Sequence, residues 1–125
     1  MKISEVSQQC DISADTLRYY ERIGLLPPVH RSDSGIRDYS DLDVRRVEFI
    51  KCMRTAGLPV EVLIKYYGLV QQGDETMEAR KAILLQHRAE IAARMTELQK
   101  TLDLIDYKIS YYENAVLKRE NAIIE

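Results

Sequence analysis

Apolar positions in the first half of the chain recur at helical spacing, in short segments separated by turn residues. Residues 3–9 show this spacing and predict a first helix. Asp11 marks a turn, and Ser13 is suited to cap a second helix that ends near Gly24. Two short helices joined by about three residues predict a helix-turn-helix, whose second helix is the one presented to a DNA groove.

The segment that follows the second helix is predicted to be extended. Pro27 and Pro28 remove backbone donors and disfavour helix before them. Residues 29–31 and 36–39 can pair as two short strands around a turn that contains Gly35. After a helix-turn-helix, such a β-hairpin is interpreted as a wing.

Two further helices complete the first region. Ser40 is placed to cap a third helix that stops at Gly57, and Pro59 suits the first turn of a fourth helix that Gly73 closes. Residues 1–73 are therefore predicted to form a winged helix-turn-helix head.

From residue 74 onward the chain contains neither glycine nor proline, and apolar residues recur every seven positions in two interleaved sets. This pattern predicts a coiled-coil dimerisation helix over residues 74–113, with a second copy of the chain as partner, followed by a short tail or helix at 114–125. The predicted fold class is all-α, with the β-hairpin wing as its only sheet. The predicted seam comprises Leu84, Ile91, Met95, Leu98, Leu102, Ile105, Ile109 and Tyr112.

Composition and charge exclude several classes of protein. The net charge is -2, and residues 1–73 hold ten basic against ten acidic side chains, so an anion-binding surface must come from local placement. Cys10 and Cys52 match no metal-ligand spacing, and no metal or cofactor is predicted. The absence of a membrane-length apolar run or secretory signal, with only two cysteines, predicts a cytoplasmic location without membrane contact and free thiols.

Cationic and aromatic side chains are concentrated on the second helix and the wing. One interpretation is a solvated face, on which Arg18 pairs with Glu21 and Arg22 pairs with an aspartate. The other is a DNA interface that supplies cations to phosphates and forked donors to guanine edges. The candidate DNA contacts are Arg18, Tyr19, Tyr20, Arg22, Arg31, Arg37 and Tyr39.

The motif DTLRYYERIGLLPP, followed by RSDSGIRDYS and DLDVRRVEFIKCMRTAGLP, resembles the MerR family of bacterial transcription regulators. The resemblance implies a dimer with an antiparallel coiled coil on a near-palindromic operator in double-stranded DNA. It also implies that the dimer distorts a promoter with an overlong spacer, so that RNA polymerase engages both elements. Arg18 and Tyr19 would then lie on the recognition helix, with Arg37 and Tyr39 on the wing and Tyr20 and Arg22 at the DNA backbone.

The sequence indicates the inducing signal less directly than it indicates the fold and the DNA-binding surface. In the family that the sequence resembles, metal-sensing members carry cysteines in this part of the chain; residues 74–125 contain none, which disfavours metal sensing. KCMRTAGLP resembles the branch of the family that responds to aldehydes and other electrophiles, and this implies Cys52 as the sensing thiol. Physical chemistry favours a buried structural cysteine instead, because Cys52 lies near a helix C-terminus and its helical neighbours carry no cation. Both interpretations remain open at this point.

Two other classes of function fit the sequence less well than a regulator. An enzyme is disfavoured, because the sequence has no phosphate-binding glycine loop and no plausible nucleophile–histidine pairing. A coiled-coil adaptor whose head binds a protein partner is the stronger alternative, since arginine and tyrosine also dominate protein interfaces. Binding to DNA would weaken more steeply with added salt.

Overall fold

A computed structural model describes the backbone of residues 1–124 and the side chains of residues 1–120. Helices account for nearly all of its regular structure, and the predicted all-α fold class is confirmed. A 3₁₀ turn, Asp74–Thr76, precedes the last helix. The helices in chain order are α1 (Ile3–Cys10), α2 (Ala14–Arg22), α3 (Asp41–Thr55), α4 (Val60–Gln72) and α5 (Met77–Ile124).

The helix ends follow from local side-chain chemistry. The Ser13 hydroxyl accepts a hydrogen bond from the Thr16 amide at 3.1 Å and so caps α2. At α3 the cap is reciprocal: the Asp43 amide donates to the Ser40 hydroxyl at 3.1 Å, and the Ser40 amide donates to an Asp43 carboxylate oxygen at 2.9 Å. Gly73 follows α4 with φ 102°, a conformation that glycine adopts without steric cost.

The wing forms in a minimal version. One antiparallel bridge joins Arg31 to Arg37, and the Asp38 amide donates to the His30 carbonyl at 2.7 Å. The ladder stops there because both ends of the hairpin turn into the protein: Val29 and Tyr39 are buried side chains. The predicted strands over residues 29–31 and 36–39 are therefore shortened to the bridge.

A single apolar core joins α1, α2, α3, α4 and the residues that flank the wing. α1 packs against both α2 and α3. An aromatic cluster of Phe49, Tyr66 and Tyr67 lies where α3 meets α4, with ring centroids 5.1 to 6.4 Å apart. Burial raises the pKa of Tyr67 to about 12, so this hydroxyl stays neutral in the core. The fully buried side chains include Val6, Leu17, Leu25, Leu26, Tyr39, Val47, Ile50 and Leu63.

The chain divides into two compact units, Met1–His87 and Arg88–Glu125. The first extends beyond the Gly73 boundary expected from sequence because the start of α5 is tied to the end of α4. The Thr76 hydroxyl donates to the Leu69 carbonyl at 2.6 Å, and Arg80 donates to the Gly73 carbonyl at 3.3 Å. α5 continues without a break from residue 114 to 124, through the segment expected to form a short tail or helix.

Candidate nucleic-acid interface

The exposed face of α2 carries the first candidate contact, Arg18. Leu17 is fully buried and anchors α2 to the core, so the adjacent Arg18 side chain projects outward and is 48% exposed. Its guanidinium donates to Asp15 at 2.9 Å, and not to Glu21 as the solvated-face interpretation expects. Asp15 is 95% exposed, and an ion pair this open to water contributes little stability. Arg18 can therefore exchange this partner for a phosphate or a base edge at small cost.

Tyr19 and Arg22 form a second exposed pair on the same helix. The Arg22 guanidinium lies 5.3 Å from the centre of the Tyr19 ring, a cation–π contact, and Tyr19 is 45% exposed. Tyr20 is only half-buried, and its backbone carbonyl accepts the amides of Leu25 and Leu26. α2 thus presents two guanidinium groups and an aromatic ring to the outside.

The tip of the wing supplies another exposed cation. Arg31 is exposed, and its guanidinium donates to the Gly35 carbonyl at 2.9 Å across the turn. Gly35 has φ 83°, so the turn needs a residue without a side chain at this position. The turn is further closed by the Ser32 amide, which donates to the Ile36 carbonyl at 2.8 Å. Arg31 is consequently held at a defined place on the hairpin.

Arg37 differs from the other candidates because its guanidinium forms an ion pair that is mostly buried within the protein. Its Nε donates to Glu21 at 2.8 Å, and the two side chains are only 20% and 15% exposed. The second oxygen of Glu21 accepts the Val29 amide at 3.4 Å. This interaction fastens the wing to α2. Glu21 was not among the predicted site residues, because a partner sixteen positions away leaves no local pattern.

Tyr39, a candidate DNA contact on the wing, is buried in this structure. Its side chain is 2% exposed, and its hydroxyl is covered by protein without a hydrogen-bond partner among the described residues. Burial raises the pKa of this hydroxyl; Arg37 lowers it by a smaller amount, and Glu21 raises it further. The physical reason is that the chain turns inward here to reach the cap of α3. Tyr39 supports the wing from beneath in this structure.

The two cysteines occupy different environments. Cys52 is exposed, which removes the interpretation of it as a buried structural cysteine, whereas Cys10 is buried. Burial raises the pKa of the Cys10 thiol, Glu48 raises it further, and Lys51 opposes the rise. Of the two thiols, Cys52 is the one open to a reagent in solvent.

The predicted seam residues lie along α5 and are largely uncovered. Leu98 is 68% exposed, Met95 is 66% exposed and Leu102 is 51% exposed. The others are exposed as well, except Ile91, which is half-buried. Farther along the helix, Ile109 and Tyr112 line a shallow surface depression of about 450 Å³. A continuous apolar stripe on one helix is an expected site of protein–protein contact.

The described part of the chain lacks two other kinds of feature. Among those residues, no group of three or more His, Cys, Asp or Glu side chains is arranged to hold a metal ion. Within the same part, none of the helices is both long and apolar enough to cross a bilayer.

Comparisons with known proteins give matches to family profiles and to relatives. A family profile described as MerR HTH family regulatory protein matches residues 1–67, and a second, described as MerR, DNA binding, matches residues 44–107. The HTH-type transcriptional regulator AdhR of Bacillus subtilis is 58% identical over 88 residues. That alignment covers 70% of this chain and 63% of the relative, so the chain spans less than two thirds of that protein.

Two solved structures are similar over nearly the whole chain. A crystal structure of a MerR family transcriptional regulator from Listeria monocytogenes has a TM-score of 0.92 and 41% identity, covering 98% of this chain and 93% of the other. The crystal structure of HiNmlR, a MerR family regulator lacking the sensor domain, bound to promoter DNA, has a TM-score of 0.81 and 29% identity. That match covers 91% of this chain and 90% of HiNmlR.

Proposed function

Because the chain belongs to the MerR family of helix-turn-helix regulators, we propose that it binds a near-palindromic promoter operator as a homodimer and regulates transcription there. The observation that carries this proposal is the exposed set on α2 and the wing: Arg18, Tyr19, Arg22 and Arg31. The solved relative bound to promoter DNA supports it. The family is one of DNA-binding regulators, and the chain is accordingly not an enzyme.

The dimer in this proposal is formed by α5. The stripe that includes Leu98 and Leu102 exposes apolar surface that water disfavours, and a second α5 would cover it. The family resemblance supports an antiparallel coil, which places one head on each operator half-site. We propose that the two heads bend and untwist a promoter with an overlong spacer, at a deformation cost offset by protein–DNA contacts, so that RNA polymerase engages both promoter elements.

The interface is tested by binding a fluorescent fragment of the promoter of its own operon over a series of salt concentrations, with anisotropy as the readout. We expect steep weakening with salt, because each phosphate contact releases counterions. Arg18→Ala should weaken specific binding by about 1–3 kcal/mol if the side chain reads a base. Arg45→Ala, an exposed arginine on α3, is the matched control. A shallow salt dependence with no effect of Arg18→Ala would favour a protein-binding adaptor instead.

Cys52 is proposed as the thiol through which this regulator responds to aldehydes and other electrophiles in the cytoplasm. Its exposure supports the role, since a reagent reaches it without any opening of the core. Cys52→Ser should bind the operator as the wild type does and lose its response to formaldehyde or methylglyoxal in a reporter assay. Cys10→Ala is the control for the other thiol. A full response from Cys52→Ser would refute the sensing role.

A further inference from the structure

A surface groove of about 530 Å³ lies where α1 meets α3, and both cysteines of the chain line it. Cys52 lies on the α3 side and is exposed, whereas Cys10 ends α1 and is buried. The ammonium-bearing side chain of Lys51 lines the same groove. A long lysine side chain can bend around its helix, so adjacency to Cys52 in sequence does not keep Lys51 out of the groove. The complete lining is Gln9, Cys10, Glu48, Lys51, Cys52, Thr55 and Ala56.

Lys51 makes two hydrogen bonds at the end of α1. Its Nζ donates to the Cys10 carbonyl at 2.6 Å and to the Asp11 carbonyl at 3.2 Å. The last carbonyls of a helix have no partner within the helix, and its C-terminus favours a positive charge. α1 ends in Gln-Gln-Cys and supplies no such charge itself. Lys51 of α3 therefore provides the cation that α1 lacks.

The turn that Lys51 contacts has an unfavourable backbone conformation. Asp11 adopts φ 52° and ψ 56°, and it is the only non-glycine residue with positive φ in the part of the chain that the structure describes. Side-chain crowding disfavours this left-handed conformation for L residues, although aspartate tolerates it better than most. Interactions with neighbouring groups must hold it, and α2 begins only three residues later, at Ala14. The Asp11 conformation thus affects where α2 starts.

We propose that Lys51 is a positioning residue that couples the groove to α2, an inference that rests on the proposed reaction of Cys52 with aldehydes. The Cys52 sulfur adds to the aldehyde carbonyl carbon: a C–S bond forms, the carbonyl π bond breaks, and the thiol proton passes through solvent to the oxygen. The resulting hemithioacetal places a hydroxyl acceptor in the groove beside the Lys51 ammonium. Lys51 then turns from the Cys10 and Asp11 carbonyls to the adduct, and the turn before α2 relaxes.

The first test compares operator affinity with and without formaldehyde for the wild type, Lys51→Met, Lys51→Arg and the control Lys65→Met, an exposed lysine on α4. In the wild type and in Lys65→Met, formaldehyde should change operator affinity by about tenfold, which corresponds to the free energy of one charge-assisted hydrogen bond. Lys51→Met should bind as the treated wild type does, with no further response. Lys51→Arg should restore the response, since a guanidinium can donate to both carbonyls. A full response from Lys51→Met would overturn the proposal.

The second test is hydrogen exchange of the turn amides, which does not depend on DNA binding. The Ile12 amide donates to the Ser7 carbonyl, and the Thr16 amide to Ser13. Both should exchange faster in Lys51→Met without aldehyde, and in wild type after formaldehyde, but not in Lys65→Met. Wild-type exchange in Lys51→Met would show that Lys51 does not hold the turn. Fast exchange there, with a formaldehyde response that persists in Cys52→Ser, would refute the sensing role of Cys52 while retaining the contact between Lys51 and the turn.

Discussion

In the unit Met1–His87, apolar side chains such as Val6, Leu17 and Ile50 are completely buried, whereas Leu98 and Met95 in the unit Arg88–Glu125 are 68% and 66% exposed. Both units are helical, and their apolar residues recur with regular spacing. The difference lies in where the partners of those residues come from. Several helices of one chain cover each other in the first unit, while the second consists of a single helix.

This difference separates two sources of stability. A core closed within one chain has a free energy of unfolding that does not depend on protein concentration. A stripe covered only by a second copy stabilises the protein by mass action, so its contribution grows with concentration. In the proposed regulator, the first unit would determine which surface meets DNA, and the second would determine whether two such surfaces act together.

The largest effect is expected from a charge in the exposed stripe. Leu102→Glu should prevent dimer formation, because burying a carboxylate on each helix of a coiled-coil seam is strongly unfavourable. The two half-sites would then be bound separately, and operator affinity should fall by about a hundredfold or more. Sedimentation velocity measures the association, and fluorescence anisotropy measures the operator affinity.

The matched control for this substitution is Lys100→Glu, which introduces the same side chain on the opposite face of α5. Its loss of the exposed ion pair with Glu97 should have little effect. Amide exchange in the core around Leu17 should remain slow in both variants, because that core is internal to one chain. A Leu102→Glu protein that sediments as a dimer would show that the stripe is not the interface.

An intermediate effect is expected when the same truncation is made in each unit. Leu17→Ala removes a fully buried side chain and should lower the free energy of unfolding by about 2–5 kcal/mol, equally at all protein concentrations. Leu98→Ala should lower thermal stability by an amount that depends on concentration, since the lost contacts are between copies. Thermal unfolding followed by circular dichroism over a wide concentration range measures both. Concentration-independent behaviour of Leu98→Ala would contradict the proposed dimer.

The helices and their ends could be predicted because their causes are local. Ser13 and Ser40 cap the helices that follow them, and Gly73 ends α4. The hairpin was predicted too long, because the burial of Val29 and Tyr39 depends on the rest of the fold. A repeat of apolar residues predicts a helix with an apolar stripe, but the same repeat does not specify the orientation of its partner.

The candidate interface was predicted less completely, for a related reason. Exposed cations such as Arg18 could be assigned from helix spacing. The half-buried contact between Glu21 and Arg37 joins residues sixteen positions apart, and the contact of Lys51 with Cys10 spans forty-one. Such contacts are determined by packing, which also decided that Tyr39 is covered and Cys52 is exposed. The types of these residues alone do not indicate which positions far apart in the sequence come into contact.

The smallest effect compares one substitution at an ion pair in each unit. Glu21→Gln weakens a half-buried pair that joins α2 to the wing, and should lower the free energy of unfolding by about 1–2 kcal/mol. Glu97→Gln weakens the exposed pair with Lys100, which lies three residues away on the same helix, and should cost less than about 0.5 kcal/mol. Urea unfolding at fixed protein concentration measures both. The pair in the first unit matters more because water screens it less and because it fixes the wing that carries Arg31. Equal costs for the two variants would mean that burial of the Glu21–Arg37 pair adds nothing to the attachment of the wing.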